Sequence, residues 1–235
     1  MLAPLPDSFV ATRDGLHALA EHVMAPARYR VDGHISLVAT PGGFGTPTFG
    51  EGERVRVDGV ELVHERPGTS TRVGITTLTA AAQFIGVTLG APLDVYAAAT
   101  NCEPDAPLGL DAESAAVLAA WIELGDSVLS ELCESYSTQQ PTAVVLWPEH
   151  FDVGCQIGDA HAGTRANYGA SPGDVAIPQP YLYVGPIAAS RRTGRLATYP
   201  WGSAITYDEL SAAGDAKGAG IDFLLEGAAL LLGQP

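Results

Sequence analysis

Thirteen consecutive residues, Glu149 to His161, hold three carboxylates and two imidazoles: Glu149, His150, Asp152, Asp159 and His161. Carboxylate and imidazole are the common protein donors to a divalent metal, and the same groups exchange protons in general acid–base catalysis. The stretch therefore nominates Glu149, His150 and Asp152 as catalytic candidates. It nominates His150, Asp152, Asp159 and His161 as ligands to a divalent cation, the one cofactor class the sequence suggests. Phe151, Val153, Cys155 and Ile157 alternate with Asp152, Gly154 and Gln156, the period of a half-buried strand. Two residues apart on that strand, His150 and Asp152 are expected to share a face, roughly 6–7 Å from each other. Their spacing matches no fixed metal motif such as HExxH. A His–Asp pair at a strand end also commonly does no more than satisfy neighbouring backbone groups, which is the default reading.

A second set of residues follows. Asn167-Tyr-Gly-Ala-Ser-Pro-Gly-Asp174 is dense in turn formers and predicts an ordered loop able to present amides, Ser171 and Asp174 to a ligand. Ser171 lacks the flanking glycines of a hydrolase elbow and is not expected to be a nucleophile. Tyr181 and Tyr183 fall on one face of the next strand, with Leu182 and Val184 on the core side. Trp147 and Trp201 each adjoin a proline and serve as pocket walls or packing. A ligand pocket built from this stretch would use Trp147, Asn167, Tyr168, Ser171, Asp174, Tyr181 and Tyr183.

The elements that must position these groups can be read from periodicity. Leu16, Leu19, Ala20, Val23 and Met24 form a helical stripe that Asp7, Ser8 or Thr12 could cap and that Pro26 is expected to stop. His17 and His22 lie off that stripe. A short strand at His34–Ala39 precedes a turn-rich break, Pro41–Gly45. Arg54–His64 alternates on both sides of Asp58-Gly59, a hairpin signal. Thr76 or Thr77 caps a helix with Leu78, Ala81, Ala82 and Ile85 on its apolar face and Gly86 at its end. Residues 90–110, rich in proline, read as a connector and as the boundary between halves. Asp111 caps the longest helix, to about Tyr136; it is apolar on two sides, as expected of a helix lying against a sheet with part of its surface at a half-to-half or subunit contact. A homodimer is therefore a candidate assembly. Ile221–Leu232 closes the chain as a helix.

Strands clustered between helices indicate an α+β protein of antiparallel sheets packed with helices. The expected organisation is a single compact domain over 1–235, with two associated helix–strands–helix halves, 1–95 and 108–235, as a candidate subdivision. The chain carries 27 acidic and 12 basic residues, a formal charge of −15. Such a field repels phosphate backbones and anionic lipid, which argues against nucleic acid and membrane surfaces as partners. No run approaches a membrane span, and the N-terminal residues lack the charge and apolar pattern of a signal peptide. Cys102, Cys133 and Cys155 are widely separated and form neither a zinc spacing nor a disulfide framework. A cytoplasmic protein with reduced thiols is the expectation.

Leu146-Trp-Pro-Glu-His-Phe-Asp152, Asn167–Asp174 and Tyr181-Leu-Tyr-Val-Gly-Pro186 together resemble an uncharacterised family of bacterial proteins, over about the C-terminal half of the chain. The layout as a whole more loosely resembles a broader family of unknown function, with an aromatic-aspartate strand matching Phe151-Asp152 and no counterparts of Glu149 and His150. The resemblance implies no activity. Two functional classes stand on the residues: a small-ligand-binding protein using the 147–186 stretch, and a metal-assisted hydrolase or related enzyme using the Glu149/His150/Asp152/Asp159/His161 cluster.

Overall fold

The computed structural model describes residues 2–234 as an α+β protein with two five-stranded antiparallel sheets and six α-helices among those residues. Both sheets are meanders, ordered β1-β2-β3-β4-β5 and β10-β9-β8-β7-β6. The chain divides into two compact units. The N-terminal unit comprises residues 4–123 and 146–151. The C-terminal unit comprises 2–3, 124–145 and 152–234. No helix among the described residues is long and apolar enough to cross a membrane.

In the N-terminal unit the first helix does not stop at Pro26. It runs as α1 (Phe9–Leu19), a π-helical segment (Ala20–Met24) and α2 (Ala25–Asp32). Within the π-helical segment the Ala25 amide bonds the Ala20 carbonyl, five residues back. A proline costs a helix the bond from its own nitrogen to the carbonyl four residues earlier, here His22. The Gly90 amide donates to the His22 carbonyl instead, at 3.0 Å. A partner from outside the helix thus replaces the bond that Pro26 cannot make, and Gly33 in the left-handed region ends α2.

The first sheet follows as β1 (Val38–Thr40), β2 (Gly43–Gly45), β3 (Arg54–Asp58), β4 (Glu61–Arg66) and β5 (Thr69–Gly74). The expected hairpin forms, with Val57 opposite Leu62 and Asp58 opposite Glu61. Gly43–Gly45, expected as a break, is a strand. A Cβ at Gly45 would lie 2.6 Å from Arg56 Cβ and 2.8 Å from the Val55 carbonyl. Glycine here permits close backbone approach and does not mark a turn. Strand β5, which alternation does not reveal, is exposed along its whole length at the sheet edge.

Helix α3 (Leu78–Ile85) has Thr77 as its cap and Gly86 in the left-handed region at its end, with Leu78, Ala81, Ala82 and Ile85 buried as the periodicity requires. It packs on α1 and the π-helical segment. Asp111 caps α4 (Ala112–Ser135) by accepting from the Ser114 amide at 2.8 Å. The backbone and side-chain donors of Ser114 hold the Asp111 carboxyl below its usual range. The division between the units falls inside α4, at Glu123/Leu124.

The C-terminal unit carries β7 (Asp152–Ile157), β8 (Ala166–Ser171), β9 (Tyr181–Pro186), β10 (Ser203–Thr206), α5 (Tyr207–Ala212) and α6 (Ala216–Leu232). The edge strand β6 (Val145–Trp147) passes from one chain segment to the next. Asn167–Ser171, expected in a loop, forms most of central strand β8. One sheet face is covered by helices without intervening side-chain bulk. Cβ atoms built at Gly125, Gly220 and Gly227 would lie 2.4 Å from Ala170, 2.8 Å from Leu182 and 2.7 Å from Val184. Small residues on α4 and α6 let these helices sit directly on the apolar face. Thr206 and Glu209 form a capping box at α5, and Asp215 caps α6.

These contacts generate a test of the N-terminal unit. A fragment of residues 1–108 retains β1–β5 and α1–α3. It loses Ser114, which bonds Ser8, and the Asp111 amide, which bonds Thr12; it also loses Leu146, which bridges to Leu37, and Phe151, which packs on Phe44. The fragment is expected to show no cooperative thermal transition by circular dichroism. A sharp melt would refute this dependence.

Candidate functional site

The turn between β6 and β7 decides where the residues of the carboxylate–histidine cluster stand. Phe151 has φ of 54°, in the left-handed region. A bulky residue there costs about 1–3 kcal/mol and must be held by its surroundings. The Phe151 ring is held between His17, stacked at 5.0 Å, and Phe44, edge-on at 5.1 Å. This backbone reversal ends the alternation expected across residues 150–152. His150 is exposed in the turn, whereas Asp152 opens β7 and is 6 % exposed.

Asp159 lies beyond the far end of β7, so it and Asp152 are separated by roughly 20 Å at about 3.3 Å per residue. There Asp159 organises the β7–β8 turn by accepting from the His161 amide at 2.7 Å, and His161 is itself exposed. Among the described residues no group of three or more His, Cys, Asp or Glu is arranged to hold a metal ion. Glu149 and His150 belong to the N-terminal unit, and Asp152, Asp159 and His161 to the C-terminal unit. Within the C-terminal unit, Asp152 and Asp159 stand at opposite ends of β7.

What the fold does assemble is the polar face of the second sheet. Tyr183 on β9 stands opposite Gly169 on β8, which stands opposite Gly154 on β7. Its ring lies flat along that row, so that a Cβ at Gly169 would be 2.4 Å from the ring. The phenol hydroxyl reaches across both glycines and donates to Asp152 Oδ2. Burial, then the Asp152 charge, raises the Tyr183 pKa well above 10.0 and keeps it a donor. Gly169 therefore serves as a seat for an aromatic ring on a strand, and the turn-former reading of this segment fails for that reason.

Tyr181 shares that face and is 6 % exposed; its hydroxyl donates to Asp174 Oδ2 at 2.6 Å. The other Asp174 oxygen accepts from the Ala176 and Ile177 amides and shapes the 172–180 loop. Burial is the main reason the Tyr181 pKa is raised, with the Asp174 hydrogen bond next. Ser171 lies at the same end of the face and accepts from the Gly173 amide at 3.1 Å.

Trp201 completes the cluster. It stacks on Tyr199 at 5.0 Å and on Tyr181 at 6.0 Å, and meets Tyr183 edge-on at 5.9 Å. Arg192 orders the segment that carries it, donating to the carbonyls of Pro186 and Pro200 at 3.0 and 3.2 Å. A Cβ at Gly202 would fall 2.0 Å from the Val184 carbonyl, so only glycine lets the tryptophan enter beside β9.

Of the residues expected at a pocket, Ser171, Tyr181, Tyr183 and the loop residue Asp174 belong to this face. Asn167 is further along it, exposed, and accepts from Gln156 at 2.9 Å. Tyr168 is one residue out of phase and points into the core, fully buried, with no partner for its hydroxyl. Trp147, 39 % exposed, belongs to the N-terminal unit. A surface depression of about 410 Å³ on α6, lined by Leu225, Glu226, Ala229, Leu230 and Gln234, contains none of the candidate residues.

A second polar cluster escaped the sequence reading. Glu21, in the π-helical segment, has no solvent exposure and accepts from the Ala99 amide at 2.9 Å, the Thr100 amide at 2.7 Å and the Thr100 hydroxyl at 2.6 Å. His22 accepts from the Ala91 amide at Nδ1, so its Nε2 carries the proton and donates to the Thr100 carbonyl. His17 Nε2 donates to the Pro148 carbonyl at 2.9 Å. A run of one carboxylate and two histidines on a helix otherwise rich in apolar residues is the signal that was there to be read. Glu21 and His22 fasten residues 90–100 to the helix, and His17 reaches Pro148.

The chain matches no protein-family model, no curated protein and no solved structure.

Two predictions follow from these clusters. Gly169→Ala is expected to destabilise the protein by about 1–3 kcal/mol through overpacking against Tyr183. In a Tyr183→Ala background the same substitution should cost much less, because the ring it strikes is gone. Equal costs in both backgrounds, measured by urea unfolding, would exclude the seating of the ring on Gly169. Burial lowers the His17 pKa below 6.5, opposed by the Glu21 carboxylate. The unfolded chain therefore binds the proton first as pH falls through about 6.5, and stability drops over the window below that value and rises with pH across it. His17→Gln, which keeps a donor toward Pro148, should flatten the stability–pH curve in that window; an unchanged slope would show that other groups set it.

Proposed function

We propose that this protein binds a small organic molecule bearing an amino group, on the polar face of the C-terminal sheet. The observation that carries the reading is the juxtaposition of the exposed, tyrosine-held carboxylate of Asp174 with the ring wall of Tyr181, Trp201 and Tyr199. Carboxylate oxygens accept and do not donate, so a ligand there supplies the protons. Aromatic faces attract positive charge and cover apolar surface. Gly154 and Gly169 leave the middle of the face without side chains beyond the Tyr183 ring. A metal-assisted reaction has less support, because Asp152 and Asp159 stand at opposite ends of β7 and no group of three or more His, Cys, Asp or Glu among the described residues is arranged to hold a metal ion.

The test is a thermal-shift screen of the full chain against primary amines, quaternary ammonium compounds, sugars and carboxylates. A ligand at a hundredfold excess over its dissociation constant contributes about 2.7 kcal/mol, a rise of roughly 5–10 °C for a chain of this size. Amines should give such shifts, and Trp201→Ala and Asp174→Asn should abolish them. Shifts only with sugars or carboxylates would redirect the ligand class. No shift with any class, or shifts indifferent to both substitutions, would overturn the site.

A further inference from the structure

Cys133 and Cys155 are 22 residues apart in the chain, yet their sulfurs are 3.5 Å apart. Cys133 is near the end of α4 and half-buried; Cys155 is in the middle of β7 on the core face, 4 % exposed. Both belong to the C-terminal unit, whereas the third cysteine, Cys102, is exposed in the N-terminal unit. All three are free thiols, and two that are widely separated in the sequence touch in space. Distance along the sequence did not matter, because α4 lies on β7 and β8, with Gly125 of the same helix seated on Ala170.

We propose that Cys133 and Cys155 form a reversible dithiol–disulfide site, oxidised by a hydroperoxide and restored by a dithiol reductant. The partly exposed Cys133 is the sulfur a peroxide can reach, and the buried Cys155 is the resolving partner. In its thiolate form Cys133 accepts a hydrogen bond from Cys155, which lowers its pKa, while the same contact and burial raise that of Cys155. The thiolate is the nucleophile in such chemistry.

The Cys133 thiolate attacks the distal peroxide oxygen and the O–O bond breaks. Cys133 becomes a sulfenic acid, and the leaving alkoxide or hydroxide takes a proton from solvent. Cys155 sulfur then attacks Cys133 sulfur. The S–S bond forms, the S–O bond breaks, and the departing hydroxide leaves as water with the Cys155 proton. In sum, two thiols and one hydroperoxide give one disulfide, one alcohol (or water) and one water; the two sulfurs together lose the two electrons that the peroxide gains. The sulfurs must close from 3.5 Å to about 2.05 Å. The product ties the end of α4 to β7.

The experiment uses the full-length Cys102→Ser variant, which retains only the two thiols in question. Hydrogen peroxide is titrated in, free thiols are counted with an aromatic disulfide reagent under denaturing conditions, and intact mass is recorded. Two thiols should fall to none, with a mass loss of about 2 Da, and dithiothreitol should restore both. Peptide mapping should return Cys133 linked to Cys155 within one chain. In the Cys102→Ser/Cys155→Ser variant, Cys133 should instead trap as a sulfenic acid detectable with dimedone. Retention of both thiols, over-oxidation of Cys133 with Cys155 still free, or linkage between chains would each overturn the proposal.

Discussion

A polar group removed from water must find its partner inside the protein, and in both units that constraint determines where the irregular segments go. Glu21 is the clearest case. A carboxylate without solvent exposure is costly unless donors surround it. Its donors are the backbone and hydroxyl of Thr100 and the amide of Ala99. The same logic extends one residue further. Pro26 leaves the His22 carbonyl without its helical partner, and the Gly90 amide takes that place. A segment rich in proline and glycine, with little regular structure of its own, is thereby fastened to a helix at four residues: Gly90, Ala91, Ala99 and Thr100. Glu21 and His22 are both buried within the π-helical segment.

In the C-terminal unit the comparable constraint is the carboxylate of Asp152, 6 % exposed at the start of β7. Its tyrosine partner comes from β9, two strands away, and crosses the intervening strand only because glycines occupy the path. Gly169 and the tyrosine ring form one unit of packing: replace that glycine and the ring must shift, whereas a Cβ at Gly154 would meet the hydroxyl only in ordinary contact at 3.6 Å. The opposite face of the same sheet is governed by a different rule. There Ala170, Leu182 and Val184 meet glycines of α4 and α6, so the helices approach closely and exclude water by shape.

The two faces of this sheet thus have separate chemistry. The polar face collects aromatic rings and carboxylates. The helix-covered face holds Tyr168 and Cys155, with Cys133 beside it from α4. Because residues alternate across a strand, neighbours in sequence such as Asn167 and Tyr168 belong to different environments, and a list of polar residues in one stretch is not a list of one site.

Local chemistry was legible in the sequence wherever the cause was local. Thr77, Asp111 and Gly86 cap or end helices because their own side chain or backbone freedom does so. The Arg54–His64 hairpin follows from a two-residue turn between alternating runs, and the clustering of strands between helices follows from the period of apolar residues. The helical stripe of Leu78, Ala81, Ala82 and Ile85 is buried as its spacing demands. What the sequence could not convey were relations between distant residues. Pro26 reads as a stop because the rescuing amide, Gly90, is 64 positions away. Gly43, Gly45 and Gly169 read as turn formers because the groups that require a missing Cβ, on β3 and β9, are on other strands. His150 and Asp152 read as partners because the left-handed turn at Phe151 is held by rings from α1 and β2. Cys133 and Cys155 read as isolated because only the packing of a helix on a sheet brings their sulfurs into contact. Propensity acts over a few residues, whereas close approach and the satisfaction of buried polar atoms act through space, so the sequence by itself determined the elements with local signals, and the tertiary structure decided the strands at Gly43–Gly45, Thr69–Gly74 and Ala166–Ser171, the helix past Pro26, and which side chains meet.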